Sequence, residues 1–362
     1  MFLFNCRTVS YCKKYTYLGT TLDEFLNFGT SADAQSGAAG RALGSLITKT
    51  IKNGGLPYSI FTMLYECAVC AVSDYGSEIW GYESKDDLNK IHLRAARCFP
   101  GLPKHATSAG VSAEIGWPEP VYRTRIRMVR QYFRILKMCD TRLTKKIYEW
   151  DKSFFEHLNI QTWSSEIRDI LLNHNLGHIF APNENFCPNL ILKQLKDSMV
   201  LKQNMDLKNR CLEKTKLRTY VQIKDFNSTE NYLTIPMSFI CRKHLALTRL
   251  SNLPIRIETA RYERPRIDAN QRLCQIGCNS LAIEDESHVI FFCSMYNNLR
   301  IAWYQKLKTP PNFNDLDIFQ KLKIVLHVAE NVKVTAQFLV DICNLRSKIL
   351  LKKSVNNSHL IL

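Results

Sequence analysis

The sequence predicts a mainly α-helical protein with a small N-terminal β-hairpin unit and a small C-terminal metal-binding knuckle between flanking helices. Three observations predict it. Apolar residues recur at helical spacing through most of the chain. The first thirty residues are instead rich in Thr, Tyr, Phe and Val, in short runs punctuated by Gly19 and Gly29, which is hairpin patterning. Between Cys274 and Cys293, three cysteines and a histidine stand at ligand spacing.

In chain order, Ala39, Leu43, Leu46, Ile47 and Ile51 share one face of a helix over 32–52. Gly54 and Gly55 stop it, and Pro57 opens the next helix. A buried helix is predicted from Tyr58 to Trp80. Glu66, Asp74 and Glu78 interrupt its apolar run, so no membrane span is expected there. A further helix starts near Ser84 as N-cap, with Asp86 and Asp87 in its first turn, where the helix dipole favours acids. Pro100, Pro103, Pro118 and Pro120 break the segment that follows, and a long helix runs from Val121 to about Met138. Residues 141–260 read as further helices, with loops near Ala181–Pro188 and Asn227–Pro236. The last sixty residues read as helices ending in a polar tail at Ser354–Ser358. The expected organisation is therefore a hairpin unit over 1–30, a basic helical domain over 31–150, a helical linker over 151–260, a Cys/His module over 261–310 and C-terminal helices over 311–362.

The 362 residues are 46% hydrophobic, enough for real cores and too many for a disordered chain. The formal charge is +16, which favours a polyanionic partner, RNA or DNA first among them. Met1–Cys6 is too short for the apolar region of a secretory signal. The 13 cysteines therefore belong to a reducing, intracellular setting, with Cys67 and Cys70 among those expected in the core.

The charge is concentrated. Residues 85–150 carry 14 Lys or Arg and 6 Asp or Glu, half of the chain's excess in under a fifth of its length. Within it Arg123, Arg127, Arg130, Arg134 and Lys137 step by four, three, four and three, so they share one helical face. Tyr122, Ile126, Val129, Phe133 and Leu136 form an apolar stripe beside them. A row of cations without an acid on its own face suits a phosphate backbone; the alternative is a solvated helix face.

Cys274 and Cys278 are followed, after nine intervening residues, by His288, and after four more by Cys293. Zinc takes four soft or borderline ligands at tetrahedral corners, and three cysteines with one histidine are an accepted set. Four protein ligands fill the coordination sphere and leave no position for a reactive water, which points to a structural Zn²⁺. Gly277 eases the turn between the first pair. The alternative is four unrelated residues in a reducing cytosol.

Three segments carry a resemblance. Lys14 to Asp23, containing Tyr17-Leu18-Gly19, resembles the hairpin that follows the catalytic palm in LINE-type (non-LTR) retrotransposon reverse transcriptases. Tyr75-Gly76-Ser77-Glu78-Ile79-Trp80-Gly81, followed by Lys90 to Arg94 and by Ala113-Glu114-Ile115-Gly116-Trp117-Pro118, resembles the thumb and post-thumb region of the same family. Leu253 to Arg300, with Arg272-Leu273-Cys274, Glu284-Asp285-Glu286-Ser287-His288 and Cys293 to Arg300, is similar to that family's C-terminal Cys/His module. The resemblance anchors roughly 1–140 and 240–305, with a first cysteine pair one residue wider than usual and Ser294 where the family often has Pro. It implies that Tyr17, Leu18 and Gly19 belong to a primer-grip hairpin, that the basic helices hold template and primer, and that the chain works in a retroelement ribonucleoprotein.

Reverse transcription needs carboxylates holding two metal ions about 3.5–4 Å apart. The family places one set in an aromatic-Ala-Asp-Asp turn, which this sequence lacks. Its one Asp-Asp pair, Asp86–Asp87, reads as a dipole cap. The expected function is thus a fragment of a transposable-element reverse transcriptase that binds nucleic acid and is not by itself an enzyme. Two other readings stay open: part of a complete RNA-directed DNA polymerase, and a zinc-scaffolded protein-interaction module. Oligomeric state is not legible.

Overall fold

The computed structural model of the chain describes residues 2–4, 7–9, 11–25, 28–82, 86–180, 187–278 and 280–358. It is mainly helical, as the periodicity predicts. The start of the chain forms the expected small β-hairpin unit, with two antiparallel pairs: β1 (Phe2–Phe4) with β2 (Arg7–Val9), and β3 (Lys14–Tyr17) with β4 (Thr20–Asp23). Leu18 and Gly19 join the second pair with φ of 49° and 81°, the left-handed pair that a two-residue hairpin turn requires.

Helix α1 (Gly29–Lys52) buries Ala32, Ala39, Leu43 and Leu46, while Ile51 is exposed. Gly54 and Gly55 end it, their amides donating to the carbonyls of Ile51 and Thr50. The expected continuous helix from Tyr58 to Trp80 is broken. It consists of α2 (Tyr58–Leu64), a π-helical turn (Tyr65–Cys70), α3 (Ala71–Ser73) and α4 (Ser77–Trp80). Gly76 at φ 70° turns the chain between the last two, and Trp80 Nε1 donates to the Tyr75 carbonyl to hold that corner. Cys70 is buried there, but Cys67 is exposed, contrary to expectation, because the apolar run has a solvent side.

Helix α5 (Asp86–Cys98) follows; the N-cap expected at Ser84 lies outside the described residues. Then come α6 (Ser108–Ile115), α7 (Pro120–Leu136), α8 (Leu143–Leu158), α9 (Trp163–Leu172) and α10 (Pro188–Leu212). Pro120 occupies the first turn of α7, where a missing amide costs nothing. Thr162 and Ser165 make a reciprocal capping box at the start of α9. The loop expected near Ala181–Pro188 lies, over 181–186, outside the described residues. Short helices α11 (Tyr220–Ile223), α12 (Phe239–Arg249) and α13 (Arg256–Thr259) precede the Cys/His segment. After it come α14 (Asn297–Tyr304), α15 (Ile318–His327) and α16 (Ala329–Ser358). The expected polar tail at Ser354–Ser358 is the last part of α16, since no Gly or Pro intervenes to end that helix. No described helix is long and apolar enough to cross a membrane.

The chain groups into two units of non-contiguous segments, which cut across the five sequential segments expected. The first comprises 1–49, 62–95 and 118–203, the second 50–61, 96–117 and 204–362. In the first, Met128, Val129, Tyr132 and Phe133 of α7 pack with Tyr148, Ile167, Ile170, Leu171, Leu195 and Met199. In the second, α12 and α16 pack closely, and Trp303 stacks on Phe338 with ring centroids 4.3 Å apart.

Candidate metal centre and nucleic-acid interface

The Cys/His segment is a knuckle pinned by a short antiparallel bridge. Leu273 pairs with Ile283, the Cys274 amide donates to the Ala282 carbonyl, and the Glu284 amide donates to the Arg272 carbonyl. Gly277, at φ 88°, makes the turn that brings Cys278 back toward Cys274. Lys353 Nζ donates to the Gln275 carbonyl at 2.8 Å across the outside of that turn.

His288 opens a π-helical turn (His288–Phe292) that ends at Cys293. The wide turn brings its two ends together, with the Cys293 amide donating to the His288 carbonyl. One ligand atom from each of Cys274, Cys278, His288 and Cys293 lies within 4.8 Å of all the others. Cys278 Sγ is 3.4 Å from His288 Nε2. Tetrahedral zinc with Zn–S near 2.3 Å sets its ligand atoms roughly 3.8 Å apart, so the four atoms need only small shifts to close on one ion. His288 and Cys293 are buried and the first pair half-buried, so the set faces inward. Their protons are shared: the bond with Cys293, then burial, pushes the Cys274 thiol up to about 12, while that same bond holds Cys293 below the usual thiol range. A divalent cation replaces such shared protons. The predicted ligand residues are therefore brought together, and the cluster can hold a metal ion. It is the one group of three or more such residues with convergent ligand atoms among the described residues.

Three acids beside the ligands, Glu284, Asp285 and Glu286, prove to be supports. Buried Glu284 receives two bonds from Arg346, both 2.9 Å, and one from the Arg256 amide at 2.8 Å. Asp285 Oδ1 accepts the His288 amide at 2.8 Å and so caps the turn that carries the ligand. Glu286 accepts from Arg218 at 3.0 Å and from Thr219. At the far end, buried Arg300 donates to the carbonyls of Ile290 and Cys293. Sequence spacing reveals the ligands; these partners, up to 68 residues away, it does not.

The basic row divides along α7. Arg123 is turned inward and makes a two-bond pair, 2.9 and 3.1 Å, with buried Asp74, and Arg127 reaches the same carboxylate at 3.9 Å. Burial pulls the Arg123 guanidinium down, and the Asp74 carboxylate more than offsets it, so the guanidinium stays charged. Nearby His92, bonded to Tyr65 at 2.9 Å, is pushed down to about 3 by burial and by Arg123 and is therefore neutral. The other end of the row, Arg130, Arg134 and Lys137, is exposed. Half of the face expected to meet phosphate is thus a structural pair, and half presents cations to solvent.

Tyr17 and Leu18 are exposed at the tip of the β3–β4 hairpin. The turn is held from below: Tyr75 Oη donates to the Leu18 carbonyl at 2.6 Å and Gln35 Nε2 to the Gly19 carbonyl at 3.0 Å. Two of the segments that carried the resemblance, far apart in sequence, thus meet at one corner. Asp86 and Asp87 begin α5, with Asp87 paired to Lys90 at 2.6 Å on the surface.

Compared with known protein families, with curated proteins and with solved structures, the chain matches none.

Proposed function

We propose that this chain binds RNA or single-stranded DNA without polymerising it, and that Cys274, Cys278, His288 and Cys293 hold a structural Zn²⁺ that keeps its C-terminal module rigid. The observation that carries the binding reading is the exposed end of α7, where Arg130 and Arg134 lie in a helix without a single acid and Lys137 caps its C-terminus. Phosphate contacts by such a row release counterions and make binding fall steeply with salt. The zinc reading rests on the closed, inward-facing donor set, whose softness suits zinc and whose four protein ligands leave no site for a reactive water. The resemblance to LINE-type reverse transcriptases supplies the setting, an intracellular retroelement ribonucleoprotein in which the chain is the C-terminal portion of the polymerase. The place of Asp86 and Asp87 at a helix start, one of them paired to a lysine, supports a capping role for them.

Binding of labelled single-stranded RNA and DNA, measured by anisotropy over a salt series, tests the reading. Arg130→Ala with Arg134→Ala should reduce the slope of log affinity against log salt by about 1.4, at about 0.7 per lost single-strand phosphate contact. An unchanged slope would remove α7 from the interface. Metal analysis should find about one zinc per chain, and less than about half an equivalent in freshly purified protein would remove the zinc.

A further inference from the structure

Arg242, in the first turn of α12, is a buried cation that no acid answers. It is 5% exposed. Its Nε donates to the Phe99 carbonyl at 3.1 Å, and the guanidinium lies over the Phe99 ring, 4.0 Å from the centroid. Those contacts use Nε and one face. Among the described residues the two terminal nitrogens have no acceptor, and no carboxylate stands within ion-pairing distance. Burial pulls the guanidinium below its ordinary value, and the groups that oppose this are the Tyr232 phenol and the Cys98 thiol. The other buried arginines of the second unit, Arg249, Arg272, Arg300 and Arg346, each spend at least two nitrogens on carboxylate or carbonyl oxygens. What Arg242 lines instead is a cavity of about 390 Å³, formed wholly by the second unit. Gly55 forms part of its wall, and a Cβ there would stand 3.5 Å from a terminal nitrogen of Arg242, so the guanidinium edge lies against bare backbone. The start of α12 adds to the same wall. Ser238 caps the helix by accepting the Cys241 amide, and the Phe239 and Ile240 amides are left without acceptors among the described residues.

We propose that this cavity binds a small organic acid, with its carboxylate on the Arg242 guanidinium and its apolar or aromatic body along Pro57, Tyr58 and Phe239. A buried charge is costly unless it is paired, and a bound anion supplies the missing pair. The choice of anion follows from the lining. Arg242 is its one charged side chain, so a single negative charge is balanced. A carboxylate also matches the planar fork of the guanidinium with two oxygens. A phosphate dianion would leave a second charge without a partner in the same wall. The apolar body has room: a neighbouring hollow of about 440 Å³ shares Gly54, Gly55, Ser238 and Phe239 with the cavity and adds Ile51, Cys98 and Ile240. Both volumes fall within the roughly 300–1,000 Å³ of small-molecule sites. This site shares no residue with the metal cluster or with the exposed end of α7, and it rests on neither.

Saturation-transfer NMR of the full chain, titrated with phenylacetate, its neutral analogue phenylacetamide and inorganic phosphate, tests this. Phenylacetate should bind with a dissociation constant of about 1 mM or tighter, and the other two at least about tenfold more weakly. Arg242→Met should lose phenylacetate binding by at least about tenfold while keeping the native circular dichroism, because it removes a buried charge and orphans no acid. Arg130→Ala with Arg134→Ala, which removes exposed cations of α7, should bind phenylacetate as the native chain does. No phenylacetate binding up to about 20 mM overturns the proposal, as does equal binding of phenylacetamide. Equal binding by Arg242→Met also overturns it, and if that variant does not fold, the preference of the native chain for the acid over the amide decides. Phosphate binding as tight as phenylacetate overturns the carboxylate assignment. Loss of phenylacetate binding in the α7 variant would move the binding to that helix and overturn the site.

Discussion

Replacing Arg249 with Met tests the idea that the second unit is organised around one buried, balanced group of charges. Arg249 is fully buried and donates to Glu114 at 2.7 and 3.3 Å and to the Leu326 carbonyl at 2.9 Å, and lies 2.6 Å from Glu230. Lys224, also buried, meets Glu230 at 2.8 Å, and His327 meets it at 3.1 Å. Two carboxylates thus face two obligate cations. Burial pushes the Glu230 carboxyl up, and Arg249, His327 and Lys224 together outweigh it, holding it down to about 2. Removing Arg249 leaves a surplus buried carboxylate, and its least costly escape is to take up a proton. At pH 7 that protonation costs about 1.4 kcal/mol for each unit above an ordinary carboxyl pKa near 4.5, or about 3.5 kcal/mol. This agrees with the roughly 3–5 kcal/mol seen when one member of a buried pair is removed. The sign follows. The folded variant binds one proton more than its unfolded state above pH 4.5, so its deficit against the native chain grows from pH 5 to pH 7. The native chain behaves oppositely. Glu230's contribution is complete above pH 4.5 and is lost as the pH falls through about 2. Urea unfolding followed by circular dichroism at several pH values reads both. Adding Glu114→Gln to the Arg249 variant should recover much of the loss at pH 7. A deficit under about 1 kcal/mol at pH 7, or one that does not grow with pH, refutes the balanced-group account.

Three further outcomes are expected. Because buried His92 is pushed down to about 3, it opposes folding increasingly as the pH drops below 6.5, by up to about 1.4 kcal/mol per pH unit; His92→Gln should flatten that limb of the stability curve, and an unchanged limb contradicts it. At Gly81 an added Cβ would stand 2.3 Å from the Ser77 carbonyl oxygen and 2.9 Å from Thr124 Cβ. Gly81→Ala should therefore cost about 1–3 kcal/mol in urea unfolding, against near zero if the α4–α7 contact is not as described. Chelation, or Cys293→Ser, should release the bound metal and lower the melting temperature, and equal melting with and without chelator would show that the cluster bears no load.

Legibility in the sequence followed distance along the chain. The four candidate metal ligands lie within twenty residues, and their grouping depends on local turns, one of them marked by Gly277, so spacing alone locates them. Helices α1 and α7 were equally legible, through apolar spacing, the Gly54–Gly55 stop and Pro120. The interrupted helix over Tyr58–Trp80 was not. Its break depends on Asp74 turning inward to Arg123, 49 residues later, and on Trp80 holding the Tyr75 carbonyl. A signal was present, since an acid in an apolar run must find a partner or face water. The sequence shows that Asp74 is such an acid, but it does not say which arginine answers it. The basic row misled in the complementary way: helical periodicity puts Arg123 and Arg134 on one face, yet only tertiary structure shows that one is buried beside a carboxylate and the other exposed.

The same logic explains why the acids next to the ligands do not join them. A carboxylate beside a zinc-type cluster competes for the ion unless something else satisfies it first. Here Glu284 is held by Arg346 and the Arg256 amide, Asp285 by the His288 amide, and one oxygen of Glu286 by Arg218 and Thr219. The bonds of Glu284 and Glu286 also fix the knuckle to other parts of the unit, α16, α13 and the segment before α11, while that of Asp285 stays within it. Arg300 adds a fourth tie through the Cys293 carbonyl. Local turns thus group the ligands, and charged side chains outside the knuckle brace those turns against the rest of the unit. With these acids held elsewhere, the three cysteines and the histidine are the side chains left to converge on one ion.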